Sequence, residues 1–218
     1  FIFFYKIKEV GFFIYLLKNI KKSKSQIFQD LFVIYYSNFK KEGIFIEVGG
    51  GDGINLSNSY YLEKKFLWNG VICEPNPIHF KNIIFKRNCI LEKSAIAAKS
   101  SEAYFYSESK NNDNYSGSLL KRKLLNNKIK IKTLSLNDVL KKNKIKKVDY
   151  LSIDTEGNEY DIIKNFSFKK YKVKIITIEH NFNKIKRNQI KKILLKNNFI
   201  NIFSFISYMD DWFINLEN

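Results

Sequence analysis

Four acids and a histidine stand at the ends of short apolar runs: Glu47 in "IFIEV", Glu74 in "GVICE", Asp154 in "VDYLSID", and Glu179 with His180 in "VKIITIEH". Carboxylates and an imidazole are the side chains that move protons near neutral pH, hold cations and accept hydrogen bonds from sugar hydroxyls. The runs carrying them are β-branched and apolar at successive positions, as in strands buried on both faces. In an open, mostly parallel sheet, ligands bind outside the carboxyl ends of the strands. Such strands would therefore gather these five side chains along one crevice.

Directly after the first run come Gly49, Gly50, Gly51 and Gly53. Glycines at a strand-to-helix turn permit positive φ and a close approach of backbone to ligand. Glu74, at the end of the next run, is placed to accept two hydrogen bonds from a ribose diol, as in nucleoside-cofactor sites of doubly wound sheets. The dinucleotide fingerprint G-x-G-x-x-G would need a third glycine where this chain has Ile54, which disfavours a pyrophosphate. Glu47 and Asp52 surround the turn with negative charge, which suits a cationic or zwitterionic ligand. S-adenosylmethionine answers that description, with a sulfonium, an amino acid end and an adenosine but no phosphate.

Methyl transfer to an alcohol needs alignment, exclusion of water, and a base or metal that deals with the hydroxyl proton. The candidates are Asp154, Glu156, Glu179 and His180. Asp154 ends the run expected beside the glycine turn and is the first choice for the base or for orienting the acceptor, and it is counted among the cofactor-binding residues too; His180, with its near-neutral pKa, is the alternative base or a structural hydrogen bonder. Asp154, Glu179 and His180 together would suit Mg or Mn, but no ligand spacing demands a metal and no metal ligand is assigned. The amine-methylating pattern Asn/Asp-Pro-Pro-Tyr/Phe is absent, since Pro75 and Pro77 are the only prolines. That speaks against adenine or cytosine N-methylation. "SGSLL", Ser116 to Leu120, with Asn111, Asn112, Asp113, Asn114 and Tyr115 before it, forms a polar loop suited to a polyhydroxyl ligand, although any exposed loop has such a composition.

The elements that must position these groups follow from periodicity. Phe28, Leu31, Phe32, Tyr35, Tyr36 and Phe39 recur at helical spacing behind Ser25 as a cap. Beyond them, strand-like runs, including "CILEKSAIA", alternate with helical stretches at Leu56 to Lys65, His79 to Lys86, Leu136 to Lys142, Glu159 to Phe166 and Lys184 to Lys196. This pattern predicts an α/β fold with a mostly parallel sheet covered by helices on both faces. "FINIFSFI" and "DWFINL" predict a closing hairpin, and "EAYFYSES" and "IKIKTL" additional strands around a loop from about 107 to 128.

The chain has 218 residues, 45% of them hydrophobic, which suits one domain from about residue 23 to 218 behind an extension, residues 1 to 22. The sequence starts at Phe1, so its natural start is expected upstream. "FIFFYKIKEVGFFIYLLKNI" is too interrupted by charge to span a bilayer; it suits an amphipathic helix lying on the domain, a partner or a membrane surface. The net charge of +17 raises nucleic acid as a partner. Against it, the only arginines are Arg87, Arg122 and Arg187, and the lysines are scattered rather than clustered. Cys73 and Cys89 sit in apolar runs as core fillers, so a reducing, cytoplasmic setting is expected, with peripheral membrane contact as an option.

In order and spacing, "SQIFQD", "EVGGGDG", "LSNSYYLE", "CEPNP", "SAIAA", "SGS", "LSIDTEGNEYDII" and "IEHN" resemble the FkbM-type methyltransferases, a branch of the class I S-adenosylmethionine-dependent enzymes. The resemblance covers about residues 23 to 213. The family commonly has Asp and Ala where this chain has Glu47 and Gly50. It implies a Rossmann-like sheet of seven strands with the last antiparallel. It places Glu47, Gly49 and Gly51 in the turn under S-adenosylmethionine, Glu74 on the ribose, Pro75 and Asn76 beside the adenosine, and Ser94 and Ala95 at the adenine edge. Gln26 and Asp30 would close over cofactor or substrate, or else cap a helix. Members of the family include O-methyltransferases of sugars and of polyketides, and the leading reading is O-methylation of a saccharide or glycoconjugate hydroxyl. A nucleic-acid-binding module and a catalytically silent adaptor with the same fold are the competing readings.

Overall fold

The computed structural model describes residues 2–107, 117–119 and 127–217. In chain order, α1 (Ile2–Asn19) and α2 (Gln29–Tyr36) precede β1 (Ile44–Val48), α3 (Tyr60–Phe66), β2 (Asn69–Cys73), α4 (Pro77–Lys86) and β3 (Ile90–Glu92). Next come β4 (Ala95–Ala97), β5 (Ser101–Ser107), β6 (Gly117–Ser118) and β7 (Asn127–Ser135). The chain ends with α5 (Leu136–Lys142), β8 (Lys147–Ile153), α6 (Glu159–Lys164), β9 (Lys172–Glu179), α7 (Lys184–Lys196), β10 (Phe199–Ile202) and β11 (Asp210–Asn215).

Seven strands form the main sheet in the order β10-β11-β9-β8-β1-β2-β3. Every pairing is parallel except the two made by β11. Alternate side chains of the central strands enter different cores, which is why these runs are apolar throughout. Ile46, Val48, Leu151, Ile153, Ile176 and Ile178 pack with residues of α5, α6 and α7. Phe45, Ile72, Tyr150, Ile175 and Trp212 pack on the other face with residues of α1, α2 and α3. The strand order reverses at β1, which pairs with β2 on one side and β8 on the other. That switch point is where an open α/β sheet leaves a crevice.

Three expectations need correction. "CILEKSAIA" is not one strand. It divides at Lys93 and Ser94 because Glu92 turns its carboxylate onto the Ser94 amide and Lys142, so β3 stays in the main sheet while β4 starts a second. That sheet has the order β4-β7-β5-β6. Helix α3 begins at Tyr60 rather than Leu56, because Leu56 has φ 57° and Ser57 to Ser59 wrap around the Glu47 carboxylate. Helix α2 begins at Gln29, behind Phe28 at φ 65°.

Residues 7 to 19 of α1 lie on the domain. Phe12 is fully buried, with the rings of Phe32, Tyr35, Tyr36, Phe203 and Trp212 centred 5.0 to 6.4 Å from its own. Gly11 permits this approach, since a Cβ there would come within 2.2 Å of the Tyr35 hydroxyl.

Candidate active site

The glycine turn after β1 is shaped by its neighbours. A Cβ at Gly49, which has φ 83°, would lie 1.7 Å from the carbonyl oxygen of Asp154. The turns after β1 and β8 therefore touch backbone to backbone, and the Asp154 amide donates to the Val48 carbonyl (2.9 Å). Gly51, at φ 52°, has nothing within 4 Å of where a Cβ would stand. The open space above it belongs to a cavity of about 220 Å³ whose lining includes Gly49 to Gly51, Glu74 to Asn76, Ala95 and Asp154 to Glu156.

Glu74 is buried. Its carboxylate accepts from the amides of Gly51 (2.9 Å) and Asn76 (2.8 Å), so it ties the turn to the end of β2. Burial pushes its pKa up to about 8; the two amides pull it down, and the charges of Glu47 and Asp154 push it further up. Two amides leave lone pairs free on both oxygens, enough for a diol. Asn76 caps α4, accepting from the Ile78 amide (3.2 Å), and also faces the cavity.

At the other end Asp154 is half-buried as a residue, with its carboxyl packed inward. It shares a hydrogen bond with the Glu179 carboxyl. Burial first holds both acids well above the ordinary range; the charges of Asp210, Glu156 and Glu159 push Asp154 further up while its hydrogen bond with Glu179 pulls it down, and the charges of Asp154, Glu156 and Glu159 add to the rise of Glu179. The pair therefore shares a proton near neutrality. Asn181 donates to Glu179 (2.8 Å) and to Glu156 (3.4 Å). Oxygens of Asp154, Glu156 and Glu179 lie within 4.8 Å of one another, the hard-oxygen ligand type that divalent cations take.

His180 is not in that grouping. Its Nδ1 accepts from the Phe182 amide (3.1 Å), and burial, then the nearby Arg187, lower its pKa. Glu47 and Asp52 do not line the cavity either. Glu47 accepts from Ser57, the Asn58 amide and Ser59, with Arg87 at 3.9 Å; Asp52 accepts from the amides of Ile54 and Asn55 (both 2.8 Å). The acids that line the ligand space are instead Glu74, Asp154 and Glu156. Ser94 is buried beside Glu92, outside the lining. Gln26 is in the wall, whereas Asp30 accepts from Ser23 (2.6 Å) and the Lys24 amide (2.7 Å) and serves the α2 turn. Within the polar loop, Ser118 and Leu119 reach the cavity; Asn111 to Ser116, Leu120 and Arg122 lie outside the described residues.

Sequence reasoning missed Arg87. Its side chain is fully enclosed and donates to Glu63 (2.9 Å), the Gly53 carbonyl (2.6 Å), Ser57 (3.2 Å) and Ser59 (2.8 Å), binding α4 to the glycine turn and to the start of α3. Nothing in a chain with scattered basic residues singles it out. Phe105 and Ile96, which add apolar wall, were equally silent because the second sheet that delivers them was not foreseen as a sheet.

A seven-stranded sheet in this order, parallel but for β11 and with a glycine turn at the switch point, has the class I methyltransferase architecture. The Methyltransferase FkbM domain matches residues 47–214, and the chain belongs to that family. No protein of curated function matches it in sequence. Among solved structures it is similar to an FkbM methyltransferase from Methylobacillus flagellatus KT, with TM-score 0.51, 10% identity and 91% of this chain covered. This chain spans 59% of the length of that one. It is also similar to a candidate RNA methyltransferase from Pyrococcus horikoshii (TM-score 0.46, 10% identity, 87% of this chain and 81% of that one). A third is a precorrin-6y C5,15-methyltransferase from Geobacter metallireducens GS-15 (TM-score 0.43, 11% identity, 85% of each).

The family implies S-adenosylmethionine as methyl donor, and the residues suit it. Among the described residues no lysine or arginine lines the cavity, so a phosphate would meet no cation there. Gly51 leaves room for the ligand, Glu74 offers free lone pairs, and Ala95, Ile96 and Phe105 supply apolar wall. No helix among the described residues is long and apolar enough to cross a membrane.

Proposed function

We propose that this methyltransferase transfers methyl to a hydroxyl of a saccharide or glycoconjugate. The observation that carries the reading is the Asp154–Glu179 carboxyl pair, one proton between two acids, beside the backbone contact of Gly49 with Asp154. A base whose pKa burial has lifted from the ordinary carboxylate range is better matched to an alcohol proton at neutral pH than an exposed aspartate. Bound S-adenosylmethionine supplies an electrophilic methyl on a sulfonium. Asp154 accepts the proton of the acceptor hydroxyl as the new bond forms, and Glu179 holds the carboxyl of Asp154 in place. Glu156 and Asn158, on the same rim, orient neighbouring hydroxyls. Saccharide as the acceptor class follows the family resemblance and is supported by the amide and carboxyl groups of that rim.

The test uses Asp154→Asn, which keeps shape and removes the base. Adenosine and S-adenosylhomocysteine affinity should stay within about twofold, while methyl transfer to a matched sugar acceptor should fall about 10²- to 10⁴-fold. Full turnover by the variant would overturn the assignment of the base. A screen in which sugars accept no methyl while a nitrogen acceptor does would overturn the acceptor class.

A further inference from the structure

We infer that the outer face of α1 is a docking surface for an anionic lipid bilayer. The inner face is already occupied, because Phe12 sits in the core of the domain. The outer face carries Ile7, Val10, Ile14 and Leu17, at spacings of three and four residues, exposed by 55%, 60%, 51% and 74%. Phe205, 76% exposed on the loop between β10 and β11, lies 6.5 Å from the ring of Phe13 and extends the apolar strip sideways. A soluble helix normally turns charge outward, and this one turns aliphatics both ways.

Charge identifies the occupant. The strip contains no acid and runs into Lys18, Lys21, Lys22 and Lys24, all exposed. An apolar strip bordered by lysines is the pattern of helices that lie in the plane of a membrane interface, with aliphatics at the acyl boundary and ammonium groups among anionic headgroups. The helix does not qualify to cross the membrane. A second copy of the chain is a poor occupant, since it brings the same lysines and the same net charge of +17. A few residues past Lys22 the chain reaches Gln26, in the wall of the cavity, and Ser25 pairs with Leu56, also in that wall. The wall of the cavity thus begins only a few residues along the chain from the end of α1.

Scattered lysines alone would draw the chain to anionic vesicles, so the test removes apolar contact without changing charge. The full chain and an Ile14→Ser/Leu17→Ser variant are co-sedimented with vesicles of phosphatidylcholine, with and without phosphatidylglycerol, at low and high salt. Circular dichroism and thermal unfolding check that the exposed substitutions leave the fold intact. The native chain should bind the phosphatidylglycerol vesicles, retain part of that binding at high salt, and lose about tenfold in affinity in the variant. A Lys18→Gln/Lys21→Gln/Lys22→Gln variant should lose the preference for anionic lipid. Equal binding by the native chain and the serine variant would overturn the inference, as would no binding at all. So would a native dimer, seen by sedimentation velocity, that the serine variant dissolves.

Discussion

Glu74 offers a pH test that separates the cofactor site from the reaction. Its carboxyl is buried and its pKa lifted to about 8. A ribose diol donates hydrogen bonds and binds best to the ionised form, so ligand affinity should climb as pH rises through that pKa. With a pKa of about 8, the ionised fraction rises roughly tenfold from pH 7 to pH 9, which sets the expected gain in affinity at about tenfold. Adenosine is the probe of choice, because it has the diol but neither the amine nor the carboxylate of the full cofactor. Calorimetric titration should give this slope for the native chain, and a weaker, pH-independent affinity for Glu74→Gln. Stability should move the other way. The folded pKa lies above the unfolded one, so the unfolded state loses its proton first, and ligand-free stability falls as pH climbs from the ordinary glutamate range toward 8. Between pH 4.5 and 7 the loss from this group is about 3 kcal/mol, and Glu74→Gln should gain on the native chain by roughly that amount over the same interval. Adenosine affinity independent of pH in the native chain, or a variant whose stability follows the native curve in parallel, would refute the reasoning.

Arg87→Met would leave Glu47 and Glu63 without their buried cation, at a cost of about 3–5 kcal/mol measured as a shift in urea unfolding. A shift below about 1 kcal/mol would mean that the serines and amides around Glu47 suffice by themselves. The two turn glycines should fail differently. Gly49→Ala should prevent folding, because its methyl would have to occupy the position of the Asp154 carbonyl at positive φ; a soluble, cooperatively unfolding variant would contradict this. Gly51→Ala should fold with a penalty of about 1 kcal/mol for the left-handed backbone, yet lose adenosine binding in the same titration, because its methyl enters the cavity.

The main sheet was legible because central parallel strands must be apolar at successive positions, and because an acid interrupts each apolar run at or beside its carboxyl end. The closing hairpin and helices α5 and α7 likewise fall where periodicity put them. The second sheet was harder. Ile129 and Ile131 alternate with Lys128, Lys130 and Lys132 in β7, a pattern that identifies a strand but not the sheet it joins. Partner choice there depends on the turn that Glu92 makes with Ser94 and Lys142, a contact between residues 50 apart. Glu47 shows the same limit within the site. Its type and place in the turn were readable, but its direction was not, because that depends on Arg87 arriving from α4 and on Ser57 and Ser59 closing from the loop before α3. A sequence displays where a carboxylate leaves a strand; which way it turns is decided by residues that meet it only after folding.

The direction matters for what the cavity will accept. With Glu47 engaged by its own network, the acids facing the ligand are Glu74, Asp154 and Glu156, the first two held above the ordinary carboxylate range by burial, in a lining without lysine or arginine among the described residues. The chain as a whole carries a net charge of +17. These fields act over different ranges, since screening by physiological salt limits the surface charge to about 8 Å while buried carboxyls are screened far less. An anionic acceptor would be drawn to the surface and then repelled at the buried end. A neutral hydroxyl compound meets no such barrier, and a cationic ligand group would favour the ionised forms of Glu74 and Asp154 that burial disfavours. The destabilisation held in the ligand-free carboxyls is thus returned on binding, as expected where a site has been kept at some expense to the fold.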